Sequence, residues 1–521
     1  MSSSDQPEPS ISATEQPLLA TSTSYSDQYP APISYTHSPR PIRDLPFLLL
    51  FLLLTLSTFA LGFLSLAKRN PDKTQLSHFT YNPSLSTCIL SQSLPTSSSS
   101  FLTSSPLLEF LIPTLLITLL LSPPITFSLL FLLRHYAKHL IYASIPFFIL
   151  TPCFLNAYWF AACVVSAGCH EAFPLTYRIV VLVFVFLLIG VILWIIVSNW
   201  HRVQLTIQIV QASAAALAEN IALLSVLPML LLLYALIYFT PVVVFLVFAT
   251  WNGKVVPRAH KGFYECVWKE DRWVQWYFAL AVIMLLWSAA TMIEAQVYVI
   301  SGTVAQWYFT SEASRPKRSL RSSLRNAFGP SFGTVSFSGM VMGAVRLVRI
   351  ILDAAKQERE LRGCITLILK CCADFLLSAF DFVNKFTINF AAITGEGYCS
   401  SAKMTYELLK RNLLSAVFVE TVSTRLLAGI VFVISSLYAI LVYVILRATS
   451  ALNTELYLIA ALTWVLLMVV LCYFVYVLDN VIDAVYICYA IDRDRGDVSK
   501  DHIHQVYVQL PKNRNQGSSL V

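Results

Sequence analysis

Residues Trp287–Phe309, WSAATMIEAQVYVISGTVAQWYF, run directly into Thr310–Arg325, TSEASRPKRSLRSSLR. The first stretch is an apolar helix with one carboxylate, Glu294, near its middle. The second is basic: Arg315, Lys317, Arg318, Arg321 and Arg325 stand against the single acid Glu312. An apolar helix that ends in a basic cluster reads as a membrane span finishing on the cytoplasmic side. The orientation of the rest of the chain is counted outward from here.

Of 521 residues, 57% are hydrophobic and 12% charged, the latter about half the charged share of a soluble domain. Several apolar runs reach about 20 residues, the length that crosses a bilayer as helix. The fold class is therefore all-α, a polytopic helical membrane protein; the alternating pattern of a membrane barrel is absent. The net charge of +7 clusters beside spans, as the positive-inside rule requires, which excludes a nucleic-acid footprint. The 11 cysteines show no CxxC pairing at metal spacing. Cys88, Cys169 and Cys266 fall outside the membrane in this topology, so a disulfide among them is open, with the pair unassigned.

Met1–Asp44 is rich in Ser, Thr and Pro and reads as a disordered cytoplasmic tail, with the first span expected to serve as an uncleaved anchor. Glu15-Gln16-Pro17-Leu18-Leu19 resembles an acidic dileucine sorting signal with imperfect spacing. The first span is Leu45–Ala67, and residues 68–105 form a Ser/Thr-rich outer loop. Leu107–Leu133, interrupted by Pro123-Pro124, is the second span. It ends inside at Arg134, His135, Lys138 and His139. The two histidines share a helix face but have no third ligand, so a basic turn is the reading and no metal is expected.

Leu140–Val165 and Ile179–Trp200 are the next spans, and Val203–Asn220 reads as a small-residue helix on the cytoplasmic side. Ile221–Thr250 crosses outward with kinks expected at Pro228 and Pro241. After an outer loop to Arg272, Val274–Phe309 returns to the basic cluster. Pro330–Leu352 carries Gly333, Gly339 and Gly343, small residues that let helices approach closely. Two crossings are placed before the basic stretch Lys403, Lys410, Arg411 and Arg425. Leu426–Leu446 and Leu456–Val477 complete about ten spans, both termini cytoplasmic. The transmembrane domain is residues 45–490, and residues 491–521 are a polar tail.

Charge inside a span is costly and calls for a reason. At 100° per residue, Trp287, Thr291, Glu294, Tyr298 and Ser301 share a helix face. A carboxylate flanked by aromatic rings suits an organic cation without N–H donors, such as a quaternary ammonium. Trp307 and Tyr308 would form an inner aromatic gate. A second constellation lies in Cys364–Ala391. Lys370, Asp374, Asp381 and Lys385 fall on one stripe, and the pairs Lys370–Asp374 and Asp381–Lys385 are each four apart. This stripe either faces a water-filled cavity or lies in the cytoplasmic interface. Asp479 and Asp483 read as a helix end hydrated by headgroups, with an ion or partner site as the alternative.

Four stretches together resemble the choline transporter-like solute carrier family, with a short first outer loop similar to its plant and fungal branch. They are VISGTVAQWYF (Val299–Phe309), SLRSSLRNAFGPSFGTVSFSG (Ser319–Gly339), FVNKFTINFAAITGEGYCSSAKMTYELLKRN (Phe382–Asn412) and DNVIDAVYICYAIDRDR (Asp479–Arg495). The resemblance implies a ten-span plasma-membrane protein that moves choline or a related amine. A secondary carrier is the leading expectation, because no Walker A sequence is present. Its partners are the cation and the lipid bilayer, with no nucleic acid and no cofactor; the oligomeric state is open. Localisation is the plasma membrane, with endosomal or trans-Golgi membranes as further stations. The rival class is a membrane scaffold in vesicle traffic or lipid homeostasis. An enzyme is not expected, since GxSxG, HExxH and paired catalytic carboxylates are missing from the spans.

Overall fold

Pro46 in the first turn starts the first helix, where a missing N–H costs nothing. In the computed structural model this helix, α1, covers Leu45–Ala67. The structure describes residues 35, 39–90, 106–165, 173–198, 200–260, 263–310, 318–358, 364–449 and 456–509. Cys169, Arg315, Lys317, Glu312 and the dileucine-like segment lie outside them, as do the side chains of Lys370 and Arg411.

Residues 68–90 of the expected outer loop are folded. A short 3₁₀ helix, Pro71–His78, leads into strands β1 (Phe79–Asn82) and β2 (Thr87–Leu90), paired antiparallel from Phe79↔Leu90 to Asn82↔Thr87. The next helix, α2 (Pro106–Val165), contains both the second and the third expected spans. It runs through Pro123 and Pro124 without a break, and its backbone leaves helical geometry only at Tyr136. Ser122 Oγ donates to Leu119 O at 2.8 Å, replacing the N–H that Pro123 lacks.

The second half of α2 lies antiparallel to α3 (Leu175–Ser198). Arg178 donates to Cys163 O at 2.9 Å, and Asn156 meets Leu182 O. Helix α4 (Trp200–Glu219) is the small-residue helix expected at 203–220, and its Ser213, Ala214, Ala216 and Leu217 are buried. Helices α5 (Ala222–Tyr234) and α6 (Thr240–Ala249) form one crossing, joined by a π-helical turn at Ala235–Phe239. That turn precedes Pro241, which removes one ladder bond and crowds the preceding turn.

Strands β3 (Gly253–His260) and β4 (Phe263–Glu270) form a second hairpin. Cys88 and Cys266 are joined in a disulfide, so the two hairpins are stapled together beyond α1 and α6. This assigns the pair left open by the sequence.

The remaining helices are α7 (Arg272–Phe309), α8 (Ser319–Ala327), α9 (Phe332–Glu358), α10 (Cys364–Thr394), α11 (Tyr398–Thr449), α12 (Leu456–Arg495) and α13 (Asp501–Tyr507). Among the described residues, eight helices are long and apolar enough to cross a membrane. One of the eight is the 55-residue run Phe110–Val164, which holds two expected crossings. Helix α10, for which a crossing and an interfacial position were both open, is not among the eight.

With 38 and 40 residues, α7 and α12 are each about 60 Å long at 1.5 Å per residue, twice a hydrocarbon core of about 30 Å. Their C-terminal halves pack with α4, α8, α10, α11 and α13 into the main hydrophobic core. From Glu294 to Tyr308 on α7, and from Val477 to Asp492 on α12, every residue is buried. The polar tail expected from Asp492 is instead folded back. Asp492 accepts from Ser499 N at 2.8 Å, and Tyr507 of α13 stacks on Tyr489 at 5.3 Å.

Candidate functional site

Glu294 is 5% exposed and sits where α7, α9, α10, α11 and α12 converge. Ser338 of α9 donates to Glu294 Oε2 at 2.9 Å and lies 3.0 Å from Asn384 Oδ1 of α10. Tyr398, in the first turn of α11, donates to the same Asn384 oxygen at 2.6 Å. Tyr398 and Tyr476 both lie within the field of the Glu294 carboxylate, and Tyr476 reaches the backbone at Ile293 O, 3.4 Å away. Arg346 and Asp381 also face it electrostatically. Thr291 Oγ1 and Asn384 Nδ2 are buried here with no hydrogen-bond partner among the described residues.

The expected aromatic face is distributed along α7. Trp287 lies two turns outward of Glu294, donates its indole N–H to Ser336 O at 2.9 Å and meets Phe51 edge-on at 5.3 Å. Tyr298 is one turn inward; its hydroxyl donates to Ser331 Oγ at 2.8 Å and accepts from Arg40. Trp307 donates to Glu219 Oε2 at 2.6 Å, with Lys500 Nζ 5.4 Å from its ring centre. Tyr308 is buried beside it in the inner core, 5.1 Å from Phe309. Trp307 and Tyr308 stand about 20 Å inward of Glu294 along the helix axis. The rings nearest the carboxylate, Tyr398 and Tyr476, come from other helices. Neither has a helical periodicity with Glu294, so no sequence signal linked them to it.

The charged stripe of α10 divides. Asp374 is exposed, while Asp381 pairs with Arg349 of α9. Lys385 Nζ lies 2.7 Å from Asp479 Oδ2 and 2.5 Å from Asp483 Oδ2 of α12. Thr424 of α11 donates to Asp479 Oδ1 at 2.6 Å. Among the described residues, Asp381 and Lys385 thus reach across to neighbouring helices. Asp479 and Asp483 are buried, not a hydrated helix end, because this part of α12 packs into the main hydrophobic core.

These features define a polytopic helical membrane protein with a buried carboxylate at a helix junction. A family model described as plasma-membrane choline transporter matches residues 183–494, more than half of the chain, and the chain belongs to that family. Choline transporter-like 2 of Anopheles gambiae is 27% identical over 237 residues, 44% of this chain and 30% of that protein. Choline transporter-like protein 1 of Rattus norvegicus is 24% identical over 243 residues, 44% of this chain and 35% of its own length. Protein PNS1 of Yarrowia lipolytica is 24% identical over 158 residues, 29% of this chain and 28% of its own. The chain thus spans about a third of the length of the curated relatives it matches.

Proposed function

We propose that this chain is a secondary carrier for choline or a related organic cation at the plasma membrane. The observation that carries the reading is Glu294, a carboxylate buried at a five-helix junction beside Tyr398 and Tyr476. Its field, little screened at that depth, attracts a cation that forms no strong hydrogen bond, and ring faces supply the close contact. Trp287 would serve the outer approach, Tyr298 the inner side, and Trp307 with Tyr308 an inner aromatic gate. The membrane potential favours cation entry, so no nucleotide energy source is required.

The test is flux of radiolabelled choline into liposomes holding the purified protein. Saturable uptake that rises with an inside-negative potential supports carriage. No uptake above protein-free liposomes would favour a membrane scaffold.

A further inference from the structure

The segment ahead of α1 enters the inner end of the bundle. Arg40 is 7% exposed, although it lies in a tail whose composition is polar. Its guanidinium carbon is 5.7 Å from the Tyr35 ring centre and 5.9 Å from that of Tyr298. It donates to Tyr298 Oη, to Ala392 O at 2.8 Å and to Ile393 O at 3.4 Å. Among the described residues no carboxylate pairs with it.

This is a cation site made without a counter-ion. Ala392 and Ile393 belong to the last turn of α10, where carbonyls lack intrahelical partners and carry the negative end of the helix dipole. The Tyr35 ring and the Tyr298 hydroxyl complete it. Gly395 ends the helix at φ +78°, and a Cβ there would stand 3.2 Å from Arg40 Cδ. The helix therefore stops in a way that leaves room for the guanidinium.

The rest of the segment is fastened independently. Asp44 accepts from Thr334 Oγ1 at 2.7 Å and from Tyr398 N at 2.8 Å, and Arg43 pairs with Glu396 at 3.4 Å. The backbone N–H of Tyr398 is thus held by the strap while its hydroxyl reaches Asn384 beside Glu294. Tyr298 lies one helical turn, about 6 Å, inward of Glu294.

We propose that Tyr35, Tyr298 and the terminal carbonyls of α10 form a second, inner site for an organic cation. Arg40 occupies it as a tethered cation that must swing out before cargo passes inward. A quaternary ammonium or a free guanidinium has the chemistry to replace it. The direction of travel rests on the carrier reading; the cation site does not.

The experiment uses the full chain carrying Ser331→Cys, with exposed Cys372, Cys399 and Cys472 replaced by serine. Ser331 is 4% exposed and accepts from Tyr298. With Arg40 present, Cys at 331 should react slowly with maleimide in detergent. Arg40→Ala should speed labelling about tenfold, and tetramethylammonium or guanidinium should slow it again by filling the vacated site. Arg40→Lys, which keeps the charge but loses the planar fork, should fall between. Equal protection with and without the Arg40 guanidinium would overturn the proposal. So would fast labelling that neither cation slows. The readout does not need transport: absent choline flux together with cation-sensitive labelling would sink the carrier reading alone. Normal flux with cation-insensitive labelling would sink the inner site alone.

Discussion

Gly339 of α9 lies so close to Thr291 of α7 that an added Cβ would stand 2.6 Å from Thr291 Cα. This backbone-to-backbone approach is what brings the adjacent Ser338 within 2.9 Å of Glu294. Gly343, one turn on, faces Trp287 Cα at 3.6 Å, an ordinary contact. The glycine spacing that marks close helix packing is therefore strict at one position and loose at the next.

Gly339→Ala should force the two helices apart and destabilise the protein by about 1–3 kcal/mol, the usual cost of overpacking. Gly343→Ala should be neutral or stabilising by up to about 1 kcal/mol, since alanine is the better helix former. Thermal melting of the detergent-purified variants checks the contrast. Equal losses at both positions would contradict the close approach.

Lys385 holds two carboxylates, Asp479 and Asp483, and their side chains are 19%, 13% and 1% exposed. Lys385→Met leaves both acids buried without an ammonium and should cost about 3–5 kcal/mol. Asp483→Asn leaves the lysine its other partner and should cost clearly less. Lys385→Met combined with Asp479→Asn and Asp483→Asn should recover part of the loss. Melting temperatures in that order support a buried ionic cluster; three equal small effects would mean a hydrated one.

The topology drawn from loop charge puts the Cys88–Cys266 hairpins on the side of the membrane opposite Arg134 and Lys403. After mild reduction of intact cells, an impermeant maleimide should label both cysteines. A cysteine introduced at Lys403 should stay unlabelled until the membrane is opened. Labelling at 403 in intact cells would overturn the orientation drawn from loop charge.

Burial pushes the Tyr35 hydroxyl from 10.0 up to about 12, with the nearby Arg40 charge opposing. The neutral phenol is the form favoured in the folded strap. Its contribution is complete below pH 10 and disappears as pH rises through about 12. Protection of a cysteine at 331, relative to a free thiol, should therefore be flat between about pH 6 and 9. A pronounced change in that window would mean that another group holds the strap.

How much of this was legible in sequence depends on the range of the interaction. Spans are local, and run length located the eight long apolar helices, while α10 is not among them. Glu294 announced itself because a carboxylate inside a span is rare in any context. The partners of Lys385 were hidden, because an i,i+4 acid on its own helix offered a nearer pairing than residues 94 positions away. Arg40 was hidden more deeply. Its contacts with Tyr298 and Ala392 span 258 and 352 positions, and its own segment has the composition of a disordered tail. The cysteines stood between these cases: position suggested three candidates, and only the two hairpins chose Cys88 with Cys266.

The sharpest test of the substrate site is removal of one charge. Glu294→Gln preserves shape and still accepts the hydrogen bond from Ser338. It abolishes only the field that draws a cation to the junction. Uptake of choline should fall by about tenfold or more, while surface expression stays near normal, because neutralising a buried carboxylate removes a desolvation cost and not a contact. A neutral isostere of choline should lose no comparable advantage. Tyr476→Leu and Tyr398→Leu remove ring contact near the carboxylate and should raise the apparent KM more than they lower kcat, at roughly 0.5–2 kcal/mol per ring. Trp287→Leu, two turns away, should have a smaller effect on KM than either tyrosine. If Glu294→Gln carries choline as well as the unmodified protein, the carboxylate serves helix packing. The substrate would then have to bind elsewhere in the bundle.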